Sequence, residues 1–295
     1  MNNIARQYNH TNEELEEFKR IIIQHCNHVP SWESIEIGTN KLLVFGKHQA
    51  TKEAERKVLE RVKNSTNEYI VKKCKDMQCS KISHGDWCDA SNSVSWKLNR
   101  KVKEPEEFTF YKKAIDRVTF NKPGRWSQSQ LGVILELPSH EQLAQWKPVK
   151  IILAPPGVKN ISSNVITKEN LIDNGWKEES IGVAPSIEYH INHELVGKRK
   201  QYGLKHYIAS TIHSIMGDTL SNIVTCVNEK ESKYNIWEKA QGIVLLSRTS
   251  STRSMTFVGD KMTTAESLVA LIQKKNNYSV YMSRVLNVLD MRRIR

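Results

Sequence analysis

"TIHSIMGDT", residues 211–219, lies between the apolar-leaning runs "YIAS" (207–210) and "IVTCV" (223–227). Apolar residues that stop at a histidine, a glycine and an acid, then resume, describe a strand ending in a tight turn over a short helical segment. In α/β proteins this is the carboxyl edge of a sheet, where ligands bind. Gly217 permits a φ its neighbours cannot adopt, while Ser210, Thr211 and Thr219 offer short hydroxyls to phosphate oxygens. His213 reads either as a ligand contact or as a packed histidine with a local hydrogen bond.

The flanking segments extend this α/β reading. "LKHYIAST" (204–211), "SNIVTCV" (221–227) and "SMTFVG" (254–259) read as strands, and "IWEKAQGIVLLSR" (236–248) as a helix or helix edge. Nearer the start, "NEELEEFKRIIIQHC" (12–26) carries acids early, cations late and apolar residues at helical spacing. "KLLVFG" (41–46) reads as a strand leading into the charged helix "ATKEAERKVLERVKN" (50–64). Strand followed by helix is the unit of an α/β domain. Between residues 76 and 192 the texture changes to runs such as "EFTFYKKAIDRVTFN" (107–121), "SQLGVILELP" (129–138) and "PVKIILAPPG" (148–157), broken by Pro and Gly. Such short strands suggest a β-rich module. We expect an α/β fold: a parallel-sheet domain from residues 1–75 and 200–262, interrupted by a β-rich insertion at 76–199. A helical, basic tail follows at 263–295.

Composition narrows the class of function. Among 295 residues, 39% are hydrophobic and 26% charged, as in a soluble globular protein. The formal net charge of +12 points to a polyanionic partner, nucleic acid first, because surplus Lys and Arg repel one another. No apolar run approaches the roughly 20 residues of a membrane span, and the start lacks the apolar core of a signal peptide. The expectation is an intracellular protein, of nucleus or cytoplasm, with no membrane partner.

The five cysteines are irregularly spaced, as free thiols in a reducing compartment would be. "CKDMQCSKISHGDWC" sets Cys74, Cys79, His84 and Cys88 on a short segment that could enclose a tetrahedral zinc. Its intervening "KDMQ" is longer and more charged than most zinc knuckles use, so incidental loop cysteines are the preferred reading and no metal site is assigned. "HINHE", with His190, His193 and Glu194, lacks the helical H-E-x-x-H order and reads as a polar strand end.

The order T-x-H-x-x-x-G-x-T, a strand, V-x-L-S-R and a closing strand resembles motifs V and VI of superfamily 1 DNA helicases. The match is nearest to the RecD and Pif-type branch, and it covers residues 202–259, with "LLVFGKHQATKEAER" (42–56) similar to motif IV. The resemblance implies a RecA-like sheet of the P-loop NTPase class, with ATP and magnesium as cofactors and single-stranded DNA as partner. It assigns DNA binding to Ser210, Thr211, His213 and Thr219. Gly217, Asp218, Gln241 and Ser247 fall toward the nucleotide. Arg248 takes the catalytic role, an arginine finger reaching across a cleft between two motor domains. Beside that likeness, an arginine ordered by a buried "IVLL" segment could neutralise charge spreading over a transferring phosphoryl group, or could be an ordinary surface or ion-pair arginine.

Two departures qualify the likeness. Where the family reads H-K-S-Q-G, Ser214 and Met216 replace the lysine and glutamine. A phosphate-cradling G-x-x-x-x-G-K-[ST] loop is missing too: "GTNKLLVFGKH" has the wrong spacing, and His48 follows Lys47. The sequence therefore reads as the C-terminal half of a motor whose N-terminal motor domain lies on the same or another chain, expected to be inactive alone. The alternative is a non-catalytic nucleic-acid-binding module derived from a helicase.

Overall fold

The computed structural model describes residues 1, 4–5, 10–35, 41–65, 68–79, 86–101, 106–158, 161, 166–191, 194–230 and 233–274. Helix α1 (Asn12–His25) starts at a capping box, in which the Thr11 hydroxyl accepts from the Glu14 N–H and the Glu14 carboxylate accepts from the Thr11 N–H. Next come β1 (Asn27–Val29), β2 (Leu42–Phe45), α2 (His48–Ser65), β3 (Tyr69–Lys73), β4 (Lys75–Cys79), β5 (Trp87–Asp89) and α3 (Asn92–Lys101). The middle of the chain supplies β6 (Glu107–Tyr111), β7 (Ala114–Val118), β8 (Leu131–Ile134), α4 (His140–Ala144), β9 (Val149–Leu153), α5 (Lys168–Asp173) and β10 (Lys177–Ile181). The remainder is β11 (Ile187–Ile191), β12 (Glu194–Lys200), β13 (Leu204–His206), β14 (Ala209–Thr211), β15 (Ile223–Cys226), α6 (Lys239–Leu246), β16 (Met255–Val258) and α7 (Lys261–Gln273).

The fold is mixed α/β. One five-stranded sheet, ordered β1-β16-β15-β2-β14, is parallel at every pairing. Its inner strands "LLVF", "IVTC" and "MTFV" are buried throughout, as strands covered on both faces must be. Alternation along β2 divides the core. Leu42 and Val44 join Phe18, Ile22, Leu245 and Leu268 from the α1, α6 and α7 side, whereas Leu43 and Phe45 join Ala50, Ala54 and Val58 of α2.

The other strands form antiparallel sheets, ordered β10-β9-β8-β7-β13 and β11-β12-β4-β5, and the pair β3-β6. Residues 76–192, which the sequence shows mainly as short strands, also contain α3; its Leu98 is fully buried and its Val94 packs on Gly197 of β12. The segment 204–211, expected as one strand, is two. β13 runs antiparallel to β7, then β14 runs parallel to β2, because the Tyr207 N–H donates to the Ile115 carbonyl while the Ile208 carbonyl accepts from the Leu43 N–H. Of the expected tail, α7 is described and residues 275–295 lie outside the described residues. No described helix is long and apolar enough to cross a membrane.

A buried ion pair sits where the two sheets meet. His206 Nδ1 lies 2.7 Å from Asp116 Oδ1, both side chains are sealed from solvent, and Phe108 stacks on the imidazole. Burial opposes the imidazolium, but the Asp116 carboxylate outweighs it and raises the His206 pKa above its ordinary 6.5. Burial also raises Asp116, against the opposing pull of His206. The folded pair therefore retains a proton that the unfolded chain releases above pH 6.5, so stability falls as pH rises beyond that value. Urea midpoints at increasing alkalinity should show this decline in the parent chain and lose most of it in Asp116→Asn.

Candidate functional site

β14 ends at Thr211, whose extended backbone and side chain cap a 3-10 turn, Ile212–Ile215. The Thr211 hydroxyl accepts from the Ser214 N–H at 3.3 Å and lies 2.7 Å from the Ser214 hydroxyl. Ile212 and Ile215 are buried beneath the turn, which packs against α6, while His213 and Ser214 face solvent. Apolar residues on both sides of the histidine thus hold the turn down and present its polar positions outward. Ser210 and Thr211 are buried, Met216 is 57% exposed and Thr219 is exposed.

Gly217 closes the turn at a φ of 88°, and a Cβ there would meet nothing within 4 Å. Glycine is needed here for its backbone conformation, not for close packing. The Asp218 N–H then donates to the Ile215 carbonyl, which completes the reversal toward β15.

Arg248 lies against this same segment. Its Nη1 donates to the Asp218 carbonyl at 3.3 Å, and its own carbonyl accepts from the Leu220 N–H at 2.7 Å. On the other side, the Ser247 hydroxyl accepts from Arg248 Nη2 at 2.9 Å and Nε at 3.2 Å, while donating to the Val244 carbonyl at 2.8 Å. The last turn of α6 and the 218–220 backbone therefore grip the guanidinium between them. The structure brings together Asp218, Ser247 and Arg248, with Gly217 adjoining. Gln241 stands apart, buried near the start of α6, where its side-chain oxygen accepts from the Trp237 N–H at 3.4 Å. That contact supplies a partner at a helix start where Glu238 makes no side-chain cap bond.

A second group at the carboxyl edge joins Lys47, set aside in the sequence with "GTNKLLVFGKH", to Trp237, which gave no sequence signal. Trp237, 37% exposed, covers Gly46 so closely that a Cβ there would fall 2.2 Å from the ring, and Lys47 Nζ lies 5.1 Å from the ring centroid. Lys274 donates to the Trp237 carbonyl at 2.9 Å. A lone tryptophan and an isolated Gly-Lys carry no periodicity, so only the parallel sheet shows that they meet.

The cysteine-rich segment does not converge in the same way. Gln78 pairs with Cys88 and Cys79 with Trp87, which puts Cys79 and Cys88 on opposite faces of their sheet. Burial pushes the Cys74 thiol up to about 11, and its Sγ lies 3.8 Å from Asp76 Oδ1. His84 and His193 lie outside the described residues, and no group of three or more potential metal ligands is assembled among the described ones.

Comparison of the fold places these features in a known architecture. The structure is similar to that of the Pif1 helicase from Candida albicans, with a TM-score of 0.58 and 15% identity, covering 90% of this chain and 53% of that one. It is also similar to Bacteroides Pif1 bound to ssDNA, with a TM-score of 0.53 and 14% identity, covering 90% of this chain and 49% of that one. The chain thus has a helicase-like α/β fold and spans about half the length of either structure. No protein-family model matches it, and no curated protein does.

A residue other than glycine in the left-handed region costs about 1–2 kcal/mol. Gly217→Ala should therefore lower stability by that order with no steric clash, and Gly217→Asn should cost less, because asparagine tolerates positive φ better. Urea denaturation of both variants measures the difference.

Proposed function

We propose that the chain is the second, RecA-like motor domain of a RecD/Pif-type ATP-dependent DNA helicase. The expected division gives the parallel sheet residues 1–75 and 200–262, the β-rich insertion 76–199 and the tail 263–295; β3 and β13 fall inside the first two spans yet pair antiparallel, and α7 packs into the parallel-sheet core rather than forming a tail. The observation that carries the reading is the contact of Arg248 with the Asp218 carbonyl and the Leu220 N–H, which joins the motif V-like and motif VI-like segments. They were read separately in the sequence, and they meet through the arginine itself.

In this reading the turn after β14 holds a single DNA strand: His213 and Thr219 face the phosphates from exposed positions, and Ser210 and Thr211 shape the turn from beneath. Gly217, Asp218, Gln241 and Ser247 lie on the nucleotide side. ATP and magnesium would be bound mainly by an N-terminal motor domain on the same or another polypeptide, which supplies the phosphate-cradling loop. Arg248 completes that site. A planar guanidinium already oriented by Ser247 and the Val244 carbonyl needs little rearrangement to meet charge developing on a γ-phosphoryl group.

Ser214 and Met216 support the second reading, a DNA-binding module that has lost its motor, since they replace a cation and a polar amide at exposed positions of the turn. The two readings differ in what Arg248 does. Arginine fingers contribute about 10³–10⁵ in rate, so in a motor reconstituted with its N-terminal half Arg248→Ala should nearly abolish DNA-stimulated ATP hydrolysis, and Arg248→Lys should not restore it. Single-strand affinity without nucleotide should fall only slightly. Near-normal hydrolysis in the Arg248→Ala motor would remove this residue from the site. The isolated chain should hydrolyse ATP no faster than buffer.

DNA binding has its own test. The isolated chain should bind single strands with affinity that falls steeply as salt rises, and His213→Ala should weaken binding. Salt-independent binding, or an unchanged His213→Ala affinity, would count against the assignment of the turn.

A further inference from the structure

The four-stranded sheet β11-β12-β4-β5 has two unlike faces. On one, Gly197 and Arg199 of β12 lie against α3: a Cβ at Gly197 would fall 2.6 Å from Val94, and the buried Arg199 donates to both Asp76 oxygens and to Asn99. The register assigns the alternate residues to the other face. Lys198 pairs with Met77 and Lys200 with Lys75, while Met77 pairs with Asp89 and Cys79 with Trp87. Lys75, Lys198, Lys200 and Trp87 therefore share the face that α3 does not cover.

Two indoles on this side are each overlaid by ammonium groups. Lys198 Nζ lies 3.7 Å from the Trp87 ring centroid. Lys72 and Lys200 share Trp146, at 4.1 Å and 5.1 Å, and the Trp146 ring is itself stacked on Tyr202 at 5.4 Å. All five side chains are half-buried. The acids nearby are already engaged: Asp89 pairs with Lys75 at 3.4 Å, and Glu188 lies 3.7 Å from His190. Among the described residues, no carboxylate comes within ion-pair distance of Lys72, Lys198 or Lys200. Burial, with the neighbouring Lys200 charge adding to it, lowers the Lys72 pKa, as expected where cations crowd without an anion.

We propose that this face, from Trp87 through Lys198 and Lys200 to Trp146 and Lys72, is a second binding surface for single-stranded nucleic acid, separate from the turn after β14. An unpaired base stacks on Trp87, while backbone phosphates replace the missing carboxylates beside the three lysines and Trp146, stacked on Tyr202, holds Lys72 and Lys200 in place. Lys198 and Lys200 stand two residues apart on one strand, about 6.6 Å, so one ligand backbone can meet both. Charge selects the polyanion, and the Trp87 ring selects one with exposed bases. The inference does not depend on the helicase reading, since it uses none of the residues around Arg248.

The test is binding of the full chain to labelled oligothymidylate across several salt concentrations. Lys198→Gln/Lys200→Gln should bind about tenfold more weakly, with a salt slope smaller by about 1.4, as loss of two phosphate contacts predicts. Trp87→Ala should weaken binding about tenfold with little change in slope, and Trp87→Phe should retain most of the affinity. Lys177→Gln/Lys230→Gln, two exposed lysines on other elements, removes the same charge and should leave affinity within about twofold of the parent. Equal losses in both double variants, parental affinity in Trp87→Ala, or polyphosphate competing as well as oligothymidylate would each overturn the proposal. Losses confined to His213→Ala would refute this surface and leave the turn standing. Losses confined to the sheet face would do the reverse.

Discussion

His206 and Asp116, 2.7 Å apart and sealed from water, mark the place where the chain leaves one sheet and enters another. Burying either charge alone would cost several kcal/mol, so each side chain makes the other's position tolerable. Only Tyr207 and Ile208 separate β13 from β14, and both are tied by backbone bonds, one to the antiparallel sheet and one to the parallel sheet. β14 cannot slide against β2 without straining β13 against β7. The turn that follows β14 thus takes its position from the buried pair as well as from its own residues.

The same economy governs the candidate site. A loop carrying exposed polar residues keeps a fixed shape only if something beneath it is buried, and Ile212 and Ile215 fill that role against α6. Arg248 then fastens the far side of the loop to the end of the same helix. It does so with its carbonyl and its guanidinium at once, so a displacement of residues 218–220 cannot leave Arg248 untouched. On the proposed reading, strand-holding and nucleotide-sensing groups are therefore coupled through a few backbone bonds.

Much of the parallel sheet was legible because its elements declare themselves locally. The early acids, late cations and apolar spacing of 12–26, the apolar run of β2 and the charged periodicity of α2 each point to the observed element without outside help. The turn at 211–217 was legible from the histidine, glycine and acid that interrupt two apolar runs, whereas the Thr211 hydroxyl, read as a phosphate contact, caps the turn instead. Other features depend on partners distant in sequence. β1 is only Asn27, His28 and Val29, one exposed and two half-buried, and becomes a strand only through pairing with β16. The break within 204–211 is invisible because "LKHYIAST" is uniformly strand-like; Asp116 and Leu43 decide where it divides. Nothing in the sequence marks Arg199, and only the antiparallel register that sets it beside Asp76 and under α3 makes it a buried structural residue. Trp237 was missed on the same account, and Lys47 was considered only as a phosphate-loop lysine and set aside.

The surplus of positive charge takes on a different meaning once it is mapped onto these elements. Many lysines and arginines are spent on exposed pairs, such as Lys57 with Glu33, Lys63 with Glu107 and Lys112 with Glu68, each worth little to stability. Such pairs neutralise charge where it lies and leave no strong local field. Lys72, Lys198 and Lys200 are held over aromatic rings instead, half-withdrawn from water and close enough for one to disfavour protonation of another. Concentrating like charges in this way costs the fold repulsion that dispersing them would relieve, against the smaller gain of each cation–π contact. Cation–π attraction offsets part of the repulsion, an arriving anion relieves the rest, and the Trp87 face beside it favours an anion that brings flat rings of its own.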